Sequence, residues 1–396
     1  MKPRPPLPPG PYLVVGQGLS GRAVAPLLDD AIAVATDAEG MQHLDRVRTV
    51  VKSPGIRPSV ELIRVARERG LEVVGELEIA WRLLPNDFIA VTGTNGKTTT
   101  AELLGEIHRA AGVPVAVAGN VGTPLSSLVG ALASEAVVVC ECSSFQLADA
   151  TEFAPECALL LNLDPDHLDW HAGFDNYRDA KLRVFANQAA EDLAIVPPGF
   201  GAVSGAARRV EYEPAAEHEV RLRGRHNLAN AGAARTAARA RGIADAAIAD
   251  ALRAFAGVPH RLEEVAEIDG VTYVNDSKAT NVASAVVALE SFDPPIHLIL
   301  GGDDSKGEDF GPLREPVSRR CRAVYLIGQA AHRLRGALDG AAQLHDCGDL
   351  EAAVAAASAA AQPGDVVLLS PACASYDQFR DFEERGDRFR RLVAEK

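Results

Sequence analysis

The sequence predicts an α/β protein of three domains, and three observations carry that prediction. The chain of 396 residues is too long for one ordinary core, and a prior of roughly one domain per 150 residues suggests two or three. Short apolar runs recur, each followed by a Gly, Ser or Asp turn and then a helical stretch. Such alternation makes parallel sheets of right-handed βαβ units. Proline-bearing breaks at "RLLPND" (82–87) and "FAGVPHR" (255–261) then divide the pattern into 1–84, 85–257 and 258–396.

With 47% hydrophobic and 24% charged residues, the composition is that of a globular protein. A net charge of −14 speaks against nucleic acid or an anionic membrane as partner, because both demand a basic face. No run approaches the 18 or so apolar residues of a membrane span, and the start lacks the features of a secretory signal. A cytoplasmic protein is expected. The proline run of "MKPRPPLPPG" is expected to be a disordered leader. Cys140, Cys142, Cys157, Cys321, Cys347 and Cys373 form no CxxC and no zinc-like spacing, so free thiols are expected.

In the N-terminal region, strand "YLVV" leads into "GQGLSG" (16–21), and Asp37 closes "AIAVATD". This is the Rossmann-like fingerprint, including the distal acid. It indicates a diphosphate near a helix start without choosing the nucleotide, so a dinucleotide-dependent oxidoreductase stays open here. A tight turn without ligand would read the same way.

The central region carries "GTNGKT" (93–98) between strand "FIAV" and helix "AELLGEIHRA". The motif is shorter than the usual phosphate loop, but the same physics applies. Gly93, Thr94, Asn95 and Gly96 let backbone N–H groups face phosphate oxygens at a helix N-terminus. Lys97 would neutralise the β/γ-phosphates, with the Thr98 hydroxyl on Mg²⁺ and Thr99 beside it. Further along, Glu141 ends "AVVVC" as a hard oxygen ligand suited to Mg²⁺. His167 and His171 stand four apart, a spacing that would also suit a transition metal, and His167 taken alone suits a surface equally well. Lys181 taken alone reads as a solvated helix lysine.

In the C-terminal region, "VNDSKATN" (274–281) and "LSPACASYDQF" (369–379) each follow a strand and bring small polar residues to a helix start, as an anion or nucleotide would require. The Ala-rich "LEAAVAAASAAAQPG" reads as a helix stopped by Pro363 and Gly364. The G-x-S-x-G elbow of a serine hydrolase is missing.

Together "GTNGKTT", "ECSSFQL", "LNLDPDHLDWH", "YRDAKLRVF", "GRHNLANAGAA", "PHRLE", "VNDSKATN" and "LSPACASYDQF" occur in an order that resembles the Mur ligases of peptidoglycan synthesis, relatives of folylpolyglutamate synthase. The resemblance spans nearly the whole chain, and its last two motifs resemble the D-glutamate-adding branch. It implies a Rossmann-like domain for UDP-N-acetylmuramoyl-L-alanine, a central P-loop mononucleotide-binding domain for ATP, and a Rossmann-like C-terminal domain for D-glutamate. It implies ATP-driven amide formation through an acyl phosphate and a tetrahedral intermediate, in a monomer. Glu141 and His167 would ligate Mg²⁺, and Lys181 would carry a CO₂-derived carbamate bridging to a second Mg²⁺. Asn230 and Arg261 would serve ATP, with Asp276 and Lys278 at its ribose and phosphates. Thr280, Lys306, Ser375 and Phe382 would surround D-glutamate. Leu19, Ser20, Asp37, Pro54 and Gly55 would meet the UDP moiety, and Asn120 would line the central cleft with the UDP-substrate. Another amide ligase of the same superfamily, using a different amino acid, remains the alternative. The chain departs from the family pattern in a compact N-terminal region, in a loop "GGDDSKGEDF" one residue longer, and in Tyr376 at an aliphatic position.

Overall fold

The computed structural model describes residues 2–120, 122–222, 224–292, 295–305 and 307–396. Three sheets organise it. The first comprises β1 (Tyr12–Val15), β2 (Ala31–Val34), β3 (Thr49–Lys52) and β4 (Glu72–Gly75) in the order β2-β1-β3-β4. The second comprises β5 (Phe88–Thr92), β6 (Val115–Gly119), β7 (Val137–Glu141), β8 (Cys157–Leu160), β9 (Leu193–Val196) and β10 (Arg208–Glu211), ordered β10-β9-β8-β5-β7-β6. The third comprises β11 (Glu263–Ile268), β12 (Val271–Asn275), β13 (Ile296–Gly301), β14 (Cys321–Ile327), β15 (Gln343–Gly348) and β16 (Val366–Leu369), ordered β11-β12-β16-β13-β14-β15. Pairing is parallel throughout except for the β11–β12 hairpin.

The strand sequences explain the topology. Runs such as "FIAVT" and "VVVCE" are buried along their whole length, as strands covered by helices on both faces must be. Each sheet also has a point where its strand order reverses, next to β1 in the first, next to β5 in the second, and at β16 beside β12 in the third. Crevices at such reversals, beyond the carboxyl ends of the strands, are where open α/β sheets hold ligands. "GQGLSG", "GTNGKT" and "VNDSKATN" follow β1, β5 and β12. The Ala-rich segment forms helix Leu350–Ala360, with Asp349 capping it through Ala352 N–H.

The chain parts into two compact units, 1–220 with 226–255, and 221–225 with 256–396. The first unit holds two sheets because the helix that ends the first, Glu76–Leu83, contributes to the core of the second. Leu77, Ala80 and Trp81 are buried with Phe88 and Phe153, and the Trp81 and Phe153 rings meet edge to face at 5.7 Å. A buried ion pair ties the same two sheets, Lys52 Nζ lying 2.7 Å from an Asp149 carboxylate oxygen.

The proline leader corrects the sequence expectation. Arg4 donates to the Asn86 carbonyl at 2.6 Å and lies over the Trp81 ring at 4.8 Å. Arg82 donates to the Pro6 carbonyl at 2.6 Å, the Tyr12 hydroxyl to that of Pro8 at 2.6 Å, and the Thr49 hydroxyl to that of Pro9 at 2.8 Å. Prolines lack the N–H but keep the C=O, so the run accepts hydrogen bonds from partners that composition alone does not reveal. All six cysteines are free thiols. Among the described residues, no helix is long and apolar enough to cross a membrane.

Candidate active site

The phosphate loop leaves β5 and enters helix Lys97–Ala110 through two glycines in conformations that side chains resist, Gly93 at φ 153° and Gly96 at φ 84°. A Cβ on Gly96 would stand 2.2 Å from the Asn230 amide oxygen, so the loop and Asn230 touch because position 96 has no side chain. The loop is also held from β8. Asn162 accepts from Asn95 N–H at 2.8 Å and returns a bond to the Asn95 carbonyl at 3.1 Å. The Thr94 hydroxyl lies 2.8 Å from the Tyr177 hydroxyl and accepts from Asp164 N–H at 2.9 Å. Thr98 and Thr99 are buried in the first helical turn.

Two lysines converge on this loop. Lys97 Nζ donates to the carbonyls of Gly93 at 3.0 Å and Thr94 at 2.8 Å. Lys181, on helix Phe174–Ala186, is buried and donates to the same Gly93 carbonyl at 2.7 Å, with its ammonium 4.8 Å from the Tyr177 ring centre. Burial first, and the neighbouring Lys97 charge second, bring its pKa down from 10.5 to about 6. The amine is therefore largely neutral at pH 7. The solvated lysine suggested by its local sequence is replaced by one of the most buried side chains in the molecule.

Glu141 ends β7 buried, accepting from the Asn120 amide at 3.0 Å, while Asn120 N–H donates to the Glu141 carbonyl at 2.9 Å. His167 follows β8 in a left-handed conformation with φ 51°. Its half-exposed ring lies 3.4 Å from Asp166 and packs against Phe145 at 4.7 Å. His171 turns inward instead and pairs with the Ser144 hydroxyl at 2.9 Å. No group of three or more His, Cys, Asp or Glu side chains capable of holding a metal occurs among the described residues. The ligand set expected here falls outside such a group, because it adds a threonine hydroxyl and a modified lysine.

In the first sheet, Leu19 and Ser20 open the short helix after the Gly-rich turn, and Leu19 is largely exposed. Gly21 fits only as glycine, since a Cβ would stand 1.8 Å from the Gly16 carbonyl oxygen. Pro54 and Gly55 follow β3 next to that turn, where the Ser53 hydroxyl donates to the Gly16 carbonyl at 3.3 Å. Asp37 is exposed at the start of the helix after β2.

In the second unit, Arg261 lies between two strained residues, His260 at φ 62° and Leu262 at φ 43°. Asp276 is buried. One of its oxygens accepts from Leu262 N–H at 3.2 Å and the other from the Ser370 hydroxyl at 2.8 Å, so in this arrangement it braces the strained segment. Burial raises its pKa to about 7. Lys278 Nζ lies 5.7 Å from the Phe382 ring, and the Ser277 hydroxyl donates to the Phe382 carbonyl at 2.8 Å. Thr280 is half-buried and Ser375 buried. The unit thus gathers Asp276, Lys278, Phe382 and the loops bearing Thr280 and Ser375. Lys306 lies outside the described residues. Sequence reasoning passed over Asn162, Tyr177 and Arg385, which hold these loops. For Asn162 the available signal was a polar residue placed directly after a buried strand.

The Mur ligase middle domain model matches residues 91–199, and the Mur ligase glutamate ligase domain model matches 260–373. The UDP-N-acetylmuramoylalanine–D-glutamate ligase of Acidobacterium capsulatum is 43% identical, over 93% of this chain and 87% of its own. That of Pelotomaculum thermopropionicum is 39% identical, over 96% of each. Among solved structures, the MurF ligase of Thermotoga maritima in complex with ADP superposes with a TM-score of 0.63 at 17% identity, covering 98% of this chain and 96% of its own. E. coli FolC in complex with ADP gives 0.60 at 19%, covering 81% and 92%. Matched along nearly its whole length by relatives of one kind, and by two family models that include the phosphate loop, the chain belongs to the Mur ligase family.

Proposed function

We propose that the chain is an ATP-dependent ligase that joins D-glutamate to UDP-N-acetylmuramoyl-L-alanine in peptidoglycan precursor synthesis. The observation that carries the chemistry is the convergence of Lys97 and Lys181 on the Gly93 carbonyl at a phosphate loop. The choice of substrates rests on the relatives that bear that activity in their names.

A carboxylate is a poor electrophile, so the L-alanine carboxylate first attacks the γ-phosphorus of ATP and ADP departs. The D-glutamate amine then attacks the acyl phosphate, and the tetrahedral species collapses with loss of phosphate and a proton. Loop residues 93–99 bind the nucleotide's phosphates through backbone N–H groups and the helix N-terminus. Rotation of the Lys97 side chain off its two carbonyls places its charge on the transferred group. Asn230 steadies the loop at Gly96, while Arg261, Asp276 and Lys278 serve the nucleotide.

Lys181 suits carbamylation. A dehydrated amine with a pKa of about 6 is nucleophilic toward CO₂ at neutral pH; the N–C bond forms and the proton passes to solvent. Thr98, Glu141, His167 and the carbamate oxygens are the groups that would hold two Mg²⁺, which when bound supply positive charge to the transferred phosphoryl group. The UDP part goes to the turn at Leu19, Ser20, Asp37, Pro54 and Gly55, with Asn120 nearer the reacting end. D-glutamate goes to Thr280, Ser375 and Phe382, with Lys306 beside them. The division into 1–84, 85–257 and 258–396, a monomeric state and a cytoplasmic location belong to the same reading.

The test is phosphate release from ATP and Mg²⁺ with UDP-N-acetylmuramoyl-L-alanine, adding one amino acid at a time. Release that depends on D-glutamate, with a product of matching mass, is expected. Release with a different amine only would move the chain to another branch of the family.

A further inference from the structure

The last helix, Phe382–Ala394, begins "FEERGDRFRR" and looks like a charged surface helix, yet Arg385 is 1% exposed. Its guanidinium is spent on loops rather than carboxylates. Nε donates to the Ser277 hydroxyl at 2.9 Å, and Nη2 donates to the carbonyls of Ser277 at 2.8 Å and Cys373 at 3.1 Å. Nη1 donates to the Ala374 carbonyl at 3.3 Å. The same Ser277 hydroxyl donates to the Phe382 carbonyl, closing a ring from the helix start to the loop and back. A third loop joins them: Asp303 N–H donates to the Ala374 carbonyl at 2.9 Å, and a Cβ on Gly302 would stand 2.2 Å from that oxygen and 3.1 Å from Arg385 Nη1.

The next residue acts on the other side. A Cβ on Gly386 would stand 2.1 Å from His260 Nδ1, so the helix can approach the strained His260–Leu262 segment only with glycine here. Asn275 Nδ2 lies 3.0 Å from His260 Nδ1 and donates to the Gly386 carbonyl at 3.3 Å. A buried guanidinium is tolerated only where its donors are met, and here the acceptors belong to separate chain segments, which the Ser370–Asp276 hydrogen bond also joins nearer the strands.

We propose that Arg385 is a positioning residue for the amino-acid site: its planar fork fixes the loop of Thr280 against the loop of Ser375 and the helix start at Phe382, with Gly386 holding that assembly to the Arg261 segment. Resting on the proposed D-glutamate ligation, this assigns to a residue outside the substrate pocket the spacing on which amino-acid recognition depends. A lysine would keep the charge and lose the fork, because one ammonium cannot reach acceptors on both loops in a single plane.

The experiment compares wild type, Arg385→Lys and Ser277→Ala in steady-state phosphate release, titrating each substrate separately, with thermal melting of each protein. For Arg385→Lys the KM for D-glutamate is expected to rise about tenfold or more, the size of losing one or two charge-assisted hydrogen bonds, with the KM for ATP changed by less than about threefold. Ser277→Ala, which keeps the carbonyl contacts, is expected to shift the D-glutamate KM in the same direction by about threefold. If both variants melt earlier but keep the wild-type D-glutamate KM, or if all KM values rise together, Arg385 is a packing residue and the inference is overturned. Should Arg385→Lys fail to fold, Ser277→Ala decides alone by the same criterion. A wild type that releases phosphate with another amine but not D-glutamate would overturn the proposed function, and with it the assignment of these loops to D-glutamate.

Discussion

Lys181 in the first unit and Arg385 in the second are both buried basic side chains, and neither is ion-paired to a carboxylate among the described residues. Their surroundings differ. Lys181 gives its compact ammonium one main-chain acceptor, whereas Arg385 spreads its charge over three carbonyls and a hydroxyl. Burial pulls the lysine to about 6 and the arginine only to about 10. At pH 7 the first is mostly an amine that can react, and the second stays a cation that can only hold. A third buried basic side chain, Lys52, completes the contrast, because its partner is the Asp149 carboxylate, and here burial opposes ionisation of both partners.

The largest expected effect strikes the reactive lysine. Lys181→Ala should lose turnover by roughly 10³-fold or more in phosphate release, with partial recovery on adding a short carboxylic acid. Near-normal turnover, or unchanged wild-type rates after bicarbonate is removed, would place Lys181 with Arg385 as a holding group. Next in size is the paired cation. Lys52→Met leaves buried Asp149 with Arg67 at 3.3 Å as its remaining ion pair among the described residues, and should cost about 3–5 kcal/mol in denaturant unfolding. Replacing both partners by apolar residues should return much of that loss, and a double variant as unstable as the single would show that the ion pair itself is not the issue.

A further effect concerns protonation and is read as a dependence on pH. In metal-free and CO₂-free buffer the unfolded chain carries a proton on Lys181 up to about 10.5, but the folded chain only up to about 6. Between those limits the unfolded state binds more protons, so the contribution of this site to stability rises with pH. The melting advantage of Lys181→Met over wild type should therefore be greatest near pH 6 and shrink toward pH 9. A difference independent of pH would mean that the amine keeps its charge.

These three side chains also mark what the sequence could and could not reveal. The alternation of apolar runs with turns made three parallel sheets legible, and "GTNGKT" announced its loop through glycines that the backbone requires at φ 153° and 84°. Lys181 was recovered only through family resemblance, since its partner Gly93 lies 88 positions away and no local pattern reports that contact. Arg385 was readable in principle. It stands four residues before Phe389 and eight before Val393, on the buried stripe of its helix, and a charged residue on such a stripe must have acceptors waiting. The leader was misjudged because composition counts prolines and cannot see Trp81, Asn86 or the carbonyls that accept.

That leader bears on how the chain is made as well as how it stands. Residues 2–12 are made before their partners: Lys2 pairs with Asp192, Arg4 with Asn86 and Glu156, and Pro6 with Arg82. Those partners emerge from 76 to 190 positions later. Complete seating of this segment therefore waits for Asp192, just before β9, while its contacts to Thr49, Arg82 and Asn86 are available sooner. Contacts of such long sequence separation slow folding and reward a finished core instead of starting one. The strap is a closing seam.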